Sequence, residues 1–231
     1  VKLISYCLYG NRPMYLRGAV ENARLAPVIY PGWKVRVYCE TDTPADLVAE
    51  LEGLGCQIRR MGRSIEHSGM IWRVLPAWEP GISRVIFRDT DSRLNVREAA
   101  AVREWIASGF AAHSMLDHPH HANCVLMCGT WGVMGGLLPG WLMPRFVEHY
   151  SSCVQRADDT AIVAREIFPH IRGSLLTHAS IKPEAALDWP ARPFPAHEPW
   201  AGFVGQQIDD DGKPMWAGLP PAVRSGGEVA A

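Results

Sequence analysis

Apolar residues recur along this chain in two periods. Short runs that alternate, or are apolar throughout, predict strands over residues 3–9, 33–39, 56–61, 85–87, 110–116 and 175–178. Between them lie stretches with helical composition or spacing. Tyr15, Ala19 and Ala23 fall four apart in a helix over 13–26. Thr43 as N-cap, Pro44 at the first helical position and Asp46 three residues after the cap predict a helix ending near 53–55. A further helix is expected over 69–78. Asn95 and Glu98 resemble a capping box for a helix through Ile106, stopped by Ser108 and Gly109. Strands that alternate with helices predict an α/β domain: a mostly parallel central sheet with helices on both faces.

The second half is less regular. Residues 125–127 read as a buried strand that leads into a glycine-rich loop over 128–136. Helices are expected over 141–154 and 159–167, and an ordered coil from Ile181 onward. Residues 122–144 are uncharged and long enough to span a bilayer. Gly129, Gly132, Gly135, Gly136, Gly140, Pro139 and Pro144 interrupt them too often for a spanning helix. The expected organisation is one Rossmann-like domain over 1–219 and a flexible tail over 220–231.

Composition narrows the partners. The 231 residues are 48% hydrophobic and 20% charged, ordinary for a soluble globule. A formal net charge of −1 gives no basic field for nucleic acid. Six cysteines (Cys7, Cys39, Cys56, Cys124, Cys128 and Cys153) are scattered, several in predicted strands. They fit small core residues of a reducing compartment better than a disulfide framework. With no secretory signal visible, the expected location is cytoplasmic, with membrane association at most peripheral.

The stretch with the strongest chemistry runs from Ser83 to Arg93, S-R-V-I-F-R-D-T-D-S-R. An apolar strand ends in two carboxylates, Asp89 and Asp91, one residue apart. In open α/β sheets ligands bind beyond the carboxyl ends of the strands. A hard divalent cation takes such oxygens and keeps part of its shell for phosphate. A solvated turn or a helix cap is the competing reading. Arg88 and Arg93 flank the pair, placed either to neutralise it or to meet a phosphate.

Histidines cluster after the strand over 110–116. His118, His120, His121, Cys124 and Cys128 do not match the spacing of a structural zinc site. Asp117 and His118, held by Pro119, fit an active-site rim instead.

The order of motifs resembles the GT-A fold of nucleotide-sugar glycosyltransferases. The segments Y-G-N, Y-P-G-W-K-V-R-V-Y, F-R-D-T-D-S-R, R-E-A-A-A-V-R-E-W-I, D-H-P-H-H, G-T-W-G and F-V-G-Q resemble a group of small bacterial proteins of that type, over residues 3–212. The chain departs from that group at Leu116, where an arginine is expected, and at Cys128-Gly129-Thr130, where two glycines precede the tryptophan.

The resemblance implies a glycosyltransferase that takes a sugar from a nucleoside-diphosphate donor, UDP-sugar favoured, to a hydroxyl on a saccharide acceptor. It implies Mn²⁺ or Mg²⁺ on Asp91 and Asp89, with Asp89 also near the ribose. Such a cation neutralises the charge that develops on the leaving diphosphate. His178 resembles the late histidine that completes the metal shell in glycogenin-like members, and is equally a polar strand-end residue. Tyr9, Gly10 and Asn11 are expected near the donor's base and ribose, with Arg73 and Arg93 also on the donor side.

Asp159 is placed at an acceptor hydroxyl, as catalytic base in an inverting enzyme or as a helix cap, and Asp117 is the second candidate base. Gly129, Trp131 and Gly132 are expected to wall the sugar pocket together with His118 and His121. Trp131 is otherwise a core residue. A nucleotidyltransferase acting on a sugar phosphate, and a non-catalytic sugar-binding protein on the same fold, remain as alternatives.

Overall fold

The computed structural model describes residues 1–148, 155, 158–181, 191–195 and 202–215. Among the described residues eight strands form one sheet: β1 (Lys2–Leu8), β2 (Lys34–Cys39), β3 (Gln57–Arg60), β4 (Arg84–Arg88), β5 (Ala112–Leu116), β6 (Thr130–Val133), β7 (Leu175–Ala179) and β8 (Ala191–Arg192). Their order is β3-β2-β1-β4-β6-β5-β7-β8. The pairs are parallel except at β6, which runs antiparallel to β4 on one side and β5 on the other. The α/β fold expected from the alternating pattern is therefore present.

Strand alternation divides the core into two layers. On one face Ile4, Tyr6, Leu8 and Ile86 pack with helices α1 (Pro13–Ile29), α2 (Ala45–Gly53) and α3 (Val96–Ser108). On the other, Leu3, Cys7, Val85, Phe87 and Trp131 pack with the 3₁₀ helix Ser68–Trp78 and with helices α4 (Leu142–Glu148), α5 (Asp158–Ile162) and α6 (Phe168–Ile171). Burial of these apolar side chains, each contributing about 1.5–3 kcal/mol, is the main stabilising term.

Several local expectations are corrected. The strand lies at Thr130–Val133, inside the expected glycine loop, and residues 125–127 are not a strand. Gly132 pairs with Ile86, and a Cβ there would come within 2.7 Å of the Val85 carbonyl and 3.2 Å of the Trp105 ring. The glycine that reads as loop is a close-packing requirement in the middle of a sheet.

Residues Ser68–Trp78 wind as a 3₁₀ rather than an α-helix. β1 grips this segment from below: Ser5 Oγ donates to the Arg73 carbonyl at 2.7 Å, and Cys7 Sγ to the Met70 carbonyl at 3.5 Å. Thr43 is not the N-cap of α2. Pro44 takes that place without a side-chain bond, and the buried Thr43 hydroxyl has no partner. The cap of α3 is as expected, with Asn95 Oδ1 accepting from Glu98 N at 2.9 Å, worth about 1 kcal/mol.

The helix expected over 159–167 starts at Asp158, passes through a π turn at Val163–Ile167 and resumes as α6. Of the helix expected over 141–154, residues 149–154 lie outside the described residues, as do the 220–231 tail and most of the predicted coil after Ile181. The five described cysteines are free thiols. Among the described residues no helix is long and apolar enough to cross a membrane.

Candidate active site

β4 carries the chemistry to the edge of the sheet. Alternation sends Ile86 and Arg88 towards α1 and α3, and Val85, Phe87 and then Asp89 towards the opposite layer. Arg88 is buried against Glu98 at 2.7 Å and donates to the Gly129 carbonyl at 2.6 Å. Burial pushes the Glu98 carboxyl up, and Arg88 beside it pulls it back. Arg88 therefore holds the back of the site and does not neutralise the strand-end carboxylates.

Arg73, from the 3₁₀ helix, performs that neutralisation. Its Nη1 bonds Asp89 and its Nη2 donates to Asp159 Oδ2 at 2.6 Å. Arg73 and Asp159 are buried, whereas the Asp89 side chain keeps 43% of its surface exposed. One guanidinium thus joins the end of β4 to the start of α5, seventy residues later. Burial pushes the Asp159 carboxyl above its ordinary value, opposed by Arg73 and reinforced by the Asp89 charge. Asp159 Oδ1 also accepts from Thr160 N at 2.8 Å.

Gly129 lets the Asp89 carboxylate in. A Cβ at this position would lie 1.8 Å from Asp89 Oδ2, so only a glycine leaves the room that this carboxylate occupies. The last wall comes from residues 202–215. Gln207 Nε2 donates to Asp91 Oδ2 at 2.6 Å, and the Ile208 N–H to the Asp91 carbonyl at 2.7 Å.

These groups enclose a cavity of about 330 Å³, lined by Asp89, Asp91, Arg73, Asp159, Gly129 and Gln207 together with Tyr9, Tyr15, His118, His120, His121 and Phe203. The three carboxylates outnumber the one guanidinium by two charges when all are ionised. His118 Nδ1 accepts from His120 N at 3.2 Å, which fixes the proton on Nε2. That Nε2 is buried and has no hydrogen-bond partner. The His118 ring stacks on Phe203 with centroids 4.1 Å apart. Burial holds His118 below the ordinary histidine value and His121 at about 4, so both are neutral at neutral pH.

No protein-family model matches the sequence, and no curated protein matches it. Solved structures match at a distance. A mannosyltransferase from Pyrobaculum calidifontis, solved with GDP-Man and Mn²⁺, has TM-score 0.47 and 11% identity over 77% of this chain. The match spans only 54% of the mannosyltransferase. The galactosyltransferase LgtC, solved with donor and acceptor sugar analogues, has TM-score 0.47 and 14% identity over 78% of this chain and 74% of its own. A 4-diphosphocytidyl-2C-methyl-D-erythritol synthase from Anaerococcus prevotii has TM-score 0.47 and 9% identity over 77% and 86%. At such distances the likeness does not carry an activity from one chain to another.

Of the residues that the sequence marks, the cavity gathers Tyr9, Arg73, Asp89, Asp91, His118, His120, His121, Cys128, Gly129 and Asp159. The others lie elsewhere. Asp117 is locked by Arg97 through two bonds of 2.7 Å, by Ser180 Oγ at 2.6 Å and by Val204 N at 2.9 Å. With its lone pairs so engaged, it is a structural anchor rather than a base. His178 points into the layer of α3. Its Nδ1 meets His113 Nε2 at 2.7 Å, and Glu104 stands 3.6 Å away.

Trp131 is fully buried under the cavity against Phe87, with ring centroids 4.3 Å apart, and Gly132 faces Trp105. Arg93 pairs with Glu21 and the Thr90 carbonyl. Gly10 and Asn11 are exposed beyond β1, where Gly10 N donates to Glu40 at 2.7 Å. No pattern in the sequence marks Gln207, Phe203 or Thr160 individually. The F-V-G-Q segment directly before Gln207 was the one available signal.

The donor set fits a hard divalent cation in part. Asp89 and Asp91 offer oxygen, and the charge excess equals that of one such ion. Among the described residues no group of three histidine, cysteine or acidic side chains is placed to hold a metal. Two carboxylates with an incomplete shell suit a cation that also takes oxygens from its substrate.

Proposed function

We propose that the protein is a metal-dependent glycosyltransferase that moves a sugar from a nucleoside-diphosphate sugar, UDP-sugar favoured, to a hydroxyl of a saccharide. The observation that carries this reading is the meeting of Asp89 and Asp159 on Arg73, in one cavity with Asp91. A divalent cation on Asp89 and Asp91 would neutralise charge on the departing diphosphate.

The chain's own residues supply the remaining work. The His118 Nε2–H is a buried donor without an acceptor, suited to a phosphate or sugar oxygen. Asp159 faces the cavity with a raised proton affinity, suited to accept or orient an acceptor hydroxyl. Arg73 fixes both Asp89 and Asp159, so the metal-side and acceptor-side carboxylates keep one spacing. Phe203 and Gly205 add an apolar surface to the wall of the cavity beside the carboxylates.

The loop after β1 disfavours nucleotidyl transfer. Gly10 N is taken by Glu40 and Arg12 by Asp210, leaving no cradle for a triphosphate.

The test incubates the protein with UDP-, GDP-, CMP- and TDP-sugars and Mn²⁺, and measures release of free nucleotide and the thermal midpoint. One donor class should be hydrolysed slowly and raise the midpoint, and EDTA should abolish both. No hydrolysis and no shift with any donor would overturn the proposal.

A further inference from the structure

Resting on the metal-dependent reading above, we infer that Gln207 is a ligand of the cation, and that it binds through Oε1 after its amide turns over. Gln207 holds the edge of Asp91 that a metal needs. Its Nε2 lies 2.6 Å from Asp91 Oδ2. A cation arriving at that oxygen would meet the positive end of the amide. A half-turn about the terminal torsion replaces the N–H₂ with a carbonyl oxygen of nearly the same shape and position. That oxygen is a hard ligand of the kind Mn²⁺ and Mg²⁺ accept.

The backbone holds Gln207 at this station in advance. Gln207 bridges to Ser92 in antiparallel fashion, Ile208 N donates to the Asp91 carbonyl at 2.7 Å, and Met215 N donates to the Gln207 carbonyl at 2.8 Å. Little backbone freedom at Gln207 therefore remains to be lost when a metal binds. His178, which the resemblance implies at the metal, is turned into the opposite layer against His113. Gln207 lines the cavity with Asp89 and Asp91, and its amide oxygen, once turned over, would be a third protein ligand. Without metal the amide neutralises Asp91 as a donor, and with metal it faces the ion as an acceptor. One side chain thus serves both states.

The sign of the effect separates a ligand from a structural hydrogen bond. Binding of Mn²⁺ alone is measured by the free-ion paramagnetic resonance signal, on wild type, Asp91→Asn, Gln207→Ala and Gln207→Glu. A ligand role predicts that Gln207→Ala weakens Mn²⁺ at least about tenfold, as loss of a metal-orienting group does. Gln207→Glu should bind at least as tightly as wild type, with a larger Mn²⁺-induced rise in thermal midpoint. The metal-free midpoint of Gln207→Glu should fall, because two carboxylates then face each other.

A purely structural role predicts the reverse for Gln207→Ala: unchanged or tighter Mn²⁺ binding, since Asp91 is released. That result overturns the inference, provided Asp91→Asn loses Mn²⁺ and so leaves the metal site itself standing. Wild type that binds no Mn²⁺, or Asp91→Asn that binds it normally, overturns the metal reading and this inference with it. Circular dichroism of each variant establishes that the sheet is intact.

Discussion

Gly129→Ala should nearly spare stability and weaken metal binding. The Gly129 carbonyl is held from behind by buried Arg88 at 2.6 Å, so the backbone cannot retreat. A new Cβ would stand 1.8 Å from Asp89 Oδ2 and 2.6 Å from its Cγ, so the Asp89 side chain must rotate away. The stability lost is that of the Asp89–Arg73 pair. Asp89 is 43% exposed, so screening limits this to about 1 kcal/mol or less. Arg73 keeps Asp159 at 2.6 Å, and no buried charge is stranded. Replacing glycine also lowers the entropy of the unfolded chain, an opposing gain of about 0.4–1 kcal/mol.

The thermal midpoint should therefore stay within about 4 °C of wild type. Mn²⁺ affinity should fall tenfold or more, because one of its two carboxylates has left the site; tenfold is about 1.4 kcal/mol. Differential scanning fluorimetry and Mn²⁺ resonance titration measure the two quantities. Gly140→Ala, where a Cβ meets nothing within 4 Å, is the silent control. Wild-type Mn²⁺ affinity in Gly129→Ala would refute the reasoning. So would a collapse of the midpoint by more than about 10 °C, since the strain would then have gone into the backbone.

Other outcomes follow from the same geometry. Asp159→Asn keeps the Thr160 bond and removes the proton acceptor. If transfer inverts configuration it should fall about 100-fold or more at unchanged Mn²⁺ affinity, and near-normal transfer would exclude the base role. His121 titrates at about 4 when folded against an ordinary 6.5, so the unfolded chain binds more protons between those values. Stability should decline as pH falls from 6.5 to 4, by up to about 3 kcal/mol from this group, and denaturation of His121→Asn should show a shallower pH slope. His178→Gln should leave Mn²⁺ binding unchanged while lowering the midpoint, since it disturbs the contacts with His113 and Glu104, away from the cavity; a loss of Mn²⁺ affinity at an unchanged midpoint would contradict its placement.

The parts of the site legible in the sequence were those set by local pattern. An apolar run that ends in D-T-D places two carboxylates at a strand end whatever the rest of the chain does. The sheet followed for the same reason, from alternation. What could not be read was direction across the sheet. His178 and Thr177 are neighbours on β7, and parity alone sends His178 towards α3. Trp131 sits opposite Phe87 in the register of β6 with β4, and this pairing places it under the cavity rather than in its wall. Arg73 was legible as a cation, but not as the link between Asp89 and Asp159. That depends on the 3₁₀ winding, which Ser5 and Cys7 stabilise from a strand more than sixty residues earlier. Gln207 gave no signal of its own, because a glutamine in a polar coil has no pattern to betray it.

The wall formed by residues 202–215 ties the cavity to the start of the chain. Its anchors reach far back along the chain: Met14 N and Arg12 Nη2 both hold Asp210 at 2.9 Å, across 196 and 198 residues. Closing so long a loop is entropically only a little dearer than closing a short one, since the cost grows as the logarithm of length. The cavity is thus held shut by contacts between opposite ends of the described chain, whereas β1 and β2 pair across about thirty residues.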